Sequence, residues 1–248
     1  MTDALESHLL DQTDDATRFF WHRLRWRFVA AHVPRRRLTL LDVGAGAGVI
    51  GEFLVRTRPE ARYVFDEPIP SLRARLRARH GDAADRHGAE DHPDVDVVTL
   101  LDVLEHVDDD EAFLAELVDR LRPGTTLVVT VPASMRLWSD WDVVLGHVRR
   151  YEPETLASLC ATVPVEVVES GHLFPELVPA AWWRARRRRA RDGSTPSDPA
   201  DARAEFPRLP LPVDRALELL GRPGVRWRDT MPIGTSLCTV LRVGPSRR

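Results

Sequence analysis

The segment LLDVGAGAGVIG, residues 40–51, limits what this chain can fold into more than any other stretch. An apolar run, Leu38–Val43, stops at a cluster of glycines, and helix-forming residues resume from Val49 to Thr57 before Pro59 ends them. That order predicts a strand, a glycine turn and a helix, because glycine adopts the backbone conformations a tight turn needs. The alternation then repeats. Ala61–Asp66 reads as a second strand, Ile69–Arg79 as a helix with arginines on its wet face, and Val95–Leu101 as a strand buried on both faces. Asp108–Leu121 opens with acids and closes before Arg122, Pro123 and Gly124, as a helix does. Thr125–Val131 is another buried strand, and Pro153–Ala161 a helix. Val163–Glu169 is a strand whose Pro164 makes its start an edge or irregular segment. Thr235–Val243 is a last strand returning to the sheet. The expected fold is α/β, a doubly wound, mostly parallel sheet with helices on both faces.

Four regions are expected along the chain. Residues 1–35 form an N-terminal helical cover, in which Ala16–Val33 mixes aromatic and Arg side chains at near-helical spacing. Residues 36–171 are the core, and 172–230 an insertion in which Leu217–Leu220 reads as helical. Within that insertion 184–203, rich in Arg, Asp, Pro and Ser, reads as a mobile loop. Residues 231–248 carry the final strand.

Composition narrows the chemistry. A chain of 248 residues, 43% hydrophobic, buries a core without disulfides. Its two cysteines, Cys160 and Cys238, lack CxxC spacing, so neither a disulfide framework nor structural zinc is expected. No apolar run approaches the roughly 18–20 residues that cross a bilayer, and the acidic start lacks a signal-peptide pattern. A reducing cytoplasm is the expected location. All 35 basic residues are arginine. The absence of lysine excludes Schiff-base and pyridoxal-phosphate chemistry and the phosphate-loop lysine.

The glycines allow two readings. Gly46, Gly48 and Gly51 satisfy GxGxxG, the dinucleotide fingerprint, which points to an NAD(P)-dependent oxidoreductase. Asp42 argues against it. A carboxylate at the end of the strand repels an incoming phosphate and suits a cationic ligand. In the alternative frame, Asp42-x-Gly44-x-Gly46-x-Gly48 resembles the first motif of class I S-adenosylmethionine-dependent methyltransferases, where the loop passes beneath the methionine part of the cofactor. The block Val95–Pro132, with its LDVLEHV and LRPGTTLVVTVP portions, is similar to the fourth strand, acid-capped helix and fifth strand of small-molecule members of that family. Those members include enzymes that methylate ubiquinone precursors. The resemblance covers roughly residues 15–170, with an echo in PIGTSLCTVLRV. It implies a Rossmann-like seven-stranded sheet with the last strand antiparallel, S-adenosylmethionine as cofactor with S-adenosylhomocysteine as product, and no metal.

Carried over residue by residue, the resemblance places Gly44, Ala45, Gly46 and Gly48 in the cofactor loop, with Asp42 at the amino-acid end. Asp66 matches the acid that grips the ribose, with Glu67 beside it as the alternative. Asp82, in Gly81-Asp82-Ala83, matches the acid near the adenine amine, and Asp85 competes with it. Leu101 and Asp102 match positions lining the cofactor, with Glu105 and His106 opening the turn beyond. Arg25 is the nearest match for an arginine reaching the cofactor carboxylate, with Arg23 and Arg27 as neighbours.

The segment 137–156 contains Gly146-His147-Val148-Arg149-Arg150-Tyr151, which looks like a signature of a subgroup of bacterial methyltransferases. Its place after the fifth strand of the family implies that Trp138, Arg149, Arg150 and Tyr151 position a polar acceptor. A hydroxyl acceptor gains from a base, and histidine suits that task near neutral pH. His147 is the expected base, with Asp142 as its orienting partner and His106 in reserve. Arg149 and Arg150 either hold an anionic group or form ion pairs with Asp140 or Asp142. Asp108, Asp109 and Asp110 read as a helix cap rather than a metal site.

The expected activity is methyl transfer to an O or N atom of a small polar acceptor. The alternatives are the oxidoreductase and a non-catalytic cofactor-binding subunit. Nucleic acid is not an expected partner of a chain with net charge −3. The Trp and Arg residues of 172–191 leave peripheral membrane contact as a secondary reading. The oligomeric state is open.

Overall fold

The computed structural model describes residues 6, 9–10, 16–191 and 209–245. Six strands form one sheet among the described residues: β1 (Thr39–Val43), β2 (Arg62–Asp66), β3 (Val97–Leu101), β4 (Thr126–Pro132), β5 (Val165–Leu173) and β6 (Ser236–Val243). Their order is β2-β1-β3-β4-β6-β5. The first four strands are parallel, whereas β6 runs antiparallel to both β4 and β5. The chain steps outward from β1 to β2 and then crosses back to β3. The topological switch therefore lies between β1 and β3, and ligands of such sheets sit outside the carboxyl ends of the strands at that point.

The expected seventh strand is absent from the described residues. Where it would run, Gly81 turns the chain and Asp82–Ala84 form a 3-10 turn. Contact with β2 is reduced to a single bridge between Phe65 and Asp85. Physically, Gly, Asp and Ala are weak strand formers, and one bridge is what they sustain.

Eight α-helices are labelled here: α1 (Phe20–Ala31), α2 (Val49–Thr57), α3 (Pro70–His80), α4 (Asp110–Asp119), α5 (Asp140–Leu145), α6 (Pro153–Ala161), α7 (Val178–Arg191) and α8 (Leu211–Arg226). Strand side chains alternate between the two faces. Leu41, Val98, Leu100, Leu127 and Val129 pack with Leu114 and Leu117 of α4 and Leu156 and Leu159 of α6. Leu40, Val97 and Val128 pack on the other face with Leu24 and Phe28 of α1 and Leu54 of α2. α1 is thus integral to one of the two cores. It is also tied to α8, where Asp214 accepts the Phe20 amide at 2.8 Å and Arg23 bonds Asp214 and Glu218 at 2.5 and 2.7 Å.

Two segments depart from the expected organisation. The arginine run 184–191, read as loop, continues the α7 helix, while 192–203 lie outside the described residues. The mean composition of 184–203 concealed the helix former run Ala-Arg that begins it. The helix anticipated at Leu217–Leu220 extends to Leu211–Arg226 and includes Pro223. Val165–Leu173 occupies a sheet edge, as Pro164 requires of its start. No helix among the described residues is long and apolar enough to cross a membrane.

Candidate active site

The glycine loop leaves β1 at its carboxyl end. Gly44, Gly46 and Gly48 have φ of 64°, 53° and 75°, a region that costs any side-chain-bearing residue. A Cβ on Gly48 would also stand 2.5 Å from Leu76. Gly51 has another role: its missing Cβ lets α2 approach the Tyr63 ring, 2.7 Å from where that atom would stand.

Three of the loop amides are already engaged by the protein. Gly44 donates to the Asp66 carbonyl at 2.8 Å and Gly48 to the Ala45 carbonyl at 2.9 Å. The Gly46 amide donates to the Glu67 carboxylate at 2.7 Å, and the other oxygen of Glu67 accepts the Ile69 amide at 2.8 Å. A dinucleotide loop instead offers its amides to a pyrophosphate. Here a buried carboxylate stands behind the loop, and its charge opposes an anion.

Asp42 adds to that field from below. It is 3% exposed, with the Tyr63 hydroxyl donating to one oxygen at 2.9 Å and the Thr99 hydroxyl to the other at 2.7 Å. Asp42 therefore lies beneath the loop rather than in contact with the open side, and acts on a ligand through its charge. Burial raises its carboxyl to about 6, against the two hydroxyl bonds, which lower it. Burial likewise raises Glu67, and the amides of Ile69 and Gly46 moderate the shift.

Of the three arginines on α1, one faces this region. Arg23 and Arg27 turn to the acids of α8. Arg25 bonds Asp102 and lies with its guanidinium 3.7 Å from the Trp21 ring centroid. Burial lowers Arg25 to about 9, while Glu105 and Asp42 hold its charge in place. Its buried Nε has no hydrogen-bond partner among the described residues. Asp102, just past β3, has φ of 56° and accepts from Thr130 at 3.1 Å. That left-handed residue turns the chain off the sheet into the 3-10 turn Leu104–His106.

The remaining cofactor candidates are spread around the same edge. Asp66 ends β2, with a partly exposed carboxylate 2.8 Å from His87 Nδ1. Leu101 is buried at the end of β3. Asp82 is 79% exposed and pairs with Arg77, whereas Asp85 lies beside β2 and is 15% exposed. Of the two acids, Asp85 is the one held against β2.

A second constellation lies past β4. Asp142, 1% exposed in α5, accepts from the Ser139 amide at 2.8 Å, from His147 Nδ1 at 2.9 Å and from Arg150 Nε at 2.7 Å. Burial alone would raise this carboxyl, but the bonds from His147 and Arg150 hold it at about 2. His147 Nε2 faces Glu105 at 4.0 Å, and its ring meets that of His106 edge-on at 4.8 Å. Glu105 is fully buried, and neither carboxylate oxygen has a hydrogen-bond partner among the described residues. Burial pushes Glu105 up to about 8, and pushes His106, with help from His147, down to about 4.

The expected acceptor contacts divide. Arg150 is committed to Asp142 and to the Ala133 carbonyl at 3.0 Å. Arg149 bonds Asp110 at 2.7 Å and the Asp108 carbonyl at 2.6 Å. Tyr151 is buried and donates to Asp110 at 2.6 Å, which raises its hydroxyl beyond the effect of burial. The triplet therefore braces the loop from behind. Trp138 is half-buried after the 3-10 turn Met135–Leu137. Asp140 pairs with Arg188 rather than with Arg149 or Arg150. Asp109 caps α4 by accepting the Ala112 amide at 2.9 Å, as the helix-cap reading requires.

With the amides of Gly44, Gly46 and Gly48 occupied and carboxylates beneath them, the site favours a cationic ligand over a diphosphate. A family model of the methyltransferase domain matches residues 16–170, more than half of the chain. The chain belongs to that methyltransferase family. The ubiquinone biosynthesis O-methyltransferase of Schizosaccharomyces pombe is 29% identical over 127 residues, 46% of this chain and 45% of that protein. The chain spans about half the length of the curated relatives it matches. Among solved structures, a SAM-dependent methyltransferase of Thermotoga maritima superposes with a TM-score of 0.60 at 14% identity, covering 96% of this chain and 97% of that one. The [4+2]-cyclase SpnF superposes at 0.56 with 18% identity, covering 91% and 81%. The same fold thus serves different chemistry, and activity must be argued from the site.

The methyltransferase's residues missed by sequence reasoning are those that hold the machinery rather than form it. Tyr63 and Thr99 look like ordinary strand residues, and only the register pairs Asp42 with Thr99 on β3 and places β2 beside it. Glu67 was legible as an acid beside Asp66, but not its grip on Gly46. Replacing Glu67 with Ala leaves two buried amides unpaired. The expected cost is about 1–3 kcal/mol of stability, read by thermal melting, with S-adenosylhomocysteine affinity reduced at least about tenfold in calorimetry.

Proposed function

We propose that this chain transfers a methyl group from S-adenosylmethionine to an oxygen of a small polar molecule. One observation carries the reading: the Gly46 amide is held by Glu67 above a buried Asp42, an arrangement hostile to phosphate and suited to a cation. The relatives are named O-methyltransferases, which supports an oxygen acceptor. The Gly-His-x-Arg-Arg-Tyr segment supports a place in the subgroup that carries it.

The residues fit the cofactor's charges. The carboxylates Asp42 and Glu67 outnumber Arg25 among buried charged groups near the loop, which suits a ligand bearing an ammonium and a sulfonium. Arg25, with a donor unpaired, suits the cofactor carboxylate, and Asp66 the ribose. When bound, S-adenosylmethionine supplies a methyl whose leaving group is a neutral thioether. The protein's task is then alignment, exclusion of water and removal of the acceptor proton. His147 Nε2 takes that proton as the O–CH3 bond forms and the S–CH3 bond breaks. Asp142 holds the ring through Nδ1 and stabilises the charge it gains.

Incubation with S-adenosylmethionine and a panel of small hydroxylated aromatic acceptors should yield a product heavier by one methylene together with S-adenosylhomocysteine. Release of neither product by a protein that binds the cofactor would contradict catalysis. The Asp42 carboxyl also sets a pH dependence. Its raised value of about 6 means that it takes up a proton as pH falls through 6. S-adenosylmethionine affinity should therefore weaken below pH 6, by up to about tenfold per unit, and level off above it. Asp42→Asn should flatten the profile, as measured by calorimetry at fixed ionic strength.

A further inference from the structure

Arg25 is 8% exposed, and a guanidinium taken that far out of water needs partners for its donors and its charge. The structure gives it one carboxylate, Asp102, and leaves its buried Nε without a hydrogen bond among the described residues. A second support is aromatic. Trp21 stands one turn earlier on the same side of α1, and its ring centroid lies 3.7 Å from the Arg25 Cζ. A cation over an indole is held weakly in water and much more strongly when desolvated.

Trp21 is in turn held from the β5 side of the sheet. Its ring centroid is 5.7 Å from that of Phe174, which is 1% exposed and has φ of 60°, a left-handed conformation that is costly for a large side chain. Phe174 follows directly on β5, as the left-handed Asp102 follows on β3. Leu173 and Pro132 both pair with Ser236, so β5 and β4 end at one height on the carboxyl edge. Phe174, Trp21, Arg25 and Asp102 thus form a row across that edge. By contrast, Trp183 and Arg187 on α7 approach to 3.8 Å with the Trp183 side 51% exposed, where such a contact contributes little.

We infer that Trp21 is a positioning residue, which orients the Arg25 guanidinium towards the carboxylate of the cofactor. The inference rests on the methyltransferase reading and deepens it, because recognition of the amino-acid end of the donor then depends on a residue that acts through another. A planar guanidinium held over a ring has few orientations left, so little side-chain freedom is lost when a carboxylate binds. The contact occupies the face of the guanidinium and leaves its edge, with the unpaired Nε, for an anion. Phe174 ties that orientation to the start of the insertion, whose helices α7 and α8 follow. Ligands that carry the carboxylate therefore gain from Trp21, and ligands that stop at the thioether do not.

Calorimetry on the full chain compares S-adenosylhomocysteine with 5′-methylthioadenosine, which has the adenosine and the thioether but no amino-acid part. Trp21→Leu should bind S-adenosylhomocysteine at least about tenfold more weakly, and methylthioadenosine within about twofold of wild type. Trp21→Phe, which keeps an aromatic face, should recover most of the loss, and Trp183→Leu should change neither affinity. Arg25→Gln should show the same selective loss, and adding Trp21→Leu to it should weaken binding no further. Thermal melting checks that each variant folds. If Trp21→Leu does not fold, wild-type protein with its seven tryptophans fluorinated keeps the ring shape, has a weaker ring face, and should show the selective loss. Equal weakening of both ligands, unchanged binding of both, or additive losses in the double variant overturns the inference and leaves the methyltransferase reading in place. Folded wild-type protein that binds neither ligand would remove that reading, and the inference with it.

Discussion

His147→Ala should lower methyl transfer by about 10²- to 10⁴-fold while S-adenosylhomocysteine affinity stays within about twofold. The ring lies past β4, apart from the glycine loop; its hydrogen bond is to Asp142, and Glu105 and His106 are its neighbours. Its loss removes one hydrogen bond from Asp142, which keeps Arg150 and Ser139, so stability should fall by no more than about 1.5 kcal/mol. The split between turnover and cofactor affinity separates a role in the reaction from a structural one. Paired kinetic and calorimetric measurements on the same preparation check it, and an equal loss in both would contradict the assignment.

Asp142→Ala should do something different. Asp142 is the common partner of His147, Arg150 and the Ser139 amide, and Arg150 is only 11% exposed. Its removal strands a nearly buried guanidinium and uncaps α5. The expected loss is about 3–5 kcal/mol, a drop in melting temperature of roughly 10 °C or more. Activity should fall with it. Asp140→Ala removes an exposed partner of Arg188 and should cost under about 1 kcal/mol, which makes it the control. The acid limb gives a second check. Asp142 is held at about 2, below its ordinary 3.8. The stability it contributes is therefore present above pH 3.8 and lost as pH falls towards 2, on the order of 2 kcal/mol. Asp142→Ala should lack that limb in melting curves taken across the range.

Much of this architecture is legible in the linear pattern, and what escapes it has a physical cause. Val49–Thr57 and Pro153–Ala161 follow directly from helix formers bounded by proline or glycine, and the helices occupy those ranges. The edge placement of β5 follows from Pro164. The arginine run on α7 did not read as helix because charge density resembled a solvated loop, although Arg itself is a good helix former. The missing strand beside β2 was signalled by its poor composition and survives only as a bridge at Asp85.

Within the site, adjacency in sequence was the limit. Asp142 and His147 are five residues apart, and one α-helical turn with its Gly146 cap brings them to 2.9 Å. Glu105 lies over forty residues before His147, so nothing local joined them. Arg149, Arg150 and Tyr151 were read as acceptor contacts because the motif places them beside His147. The fold pairs Arg149 and Tyr151 with Asp110 and Arg150 with Asp142, and all three side chains also line an open pocket beside Glu154 and Ser158. Asp42 shows the opposite case. Its charge was legible, but its depth beneath the loop depended on Tyr63 and Thr99, which only strand register supplies.

The choice between a cationic methyl donor and a dinucleotide is decided most directly by calorimetry on the purified chain with S-adenosylhomocysteine and, separately, with NAD and NADP. Micromolar binding of S-adenosylhomocysteine, with no heat from either dinucleotide, is the expected result. Dinucleotide binding without a response to S-adenosylhomocysteine would mean that the loop over Glu67 and Asp42 takes a pyrophosphate after all, and the charge argument would be wrong.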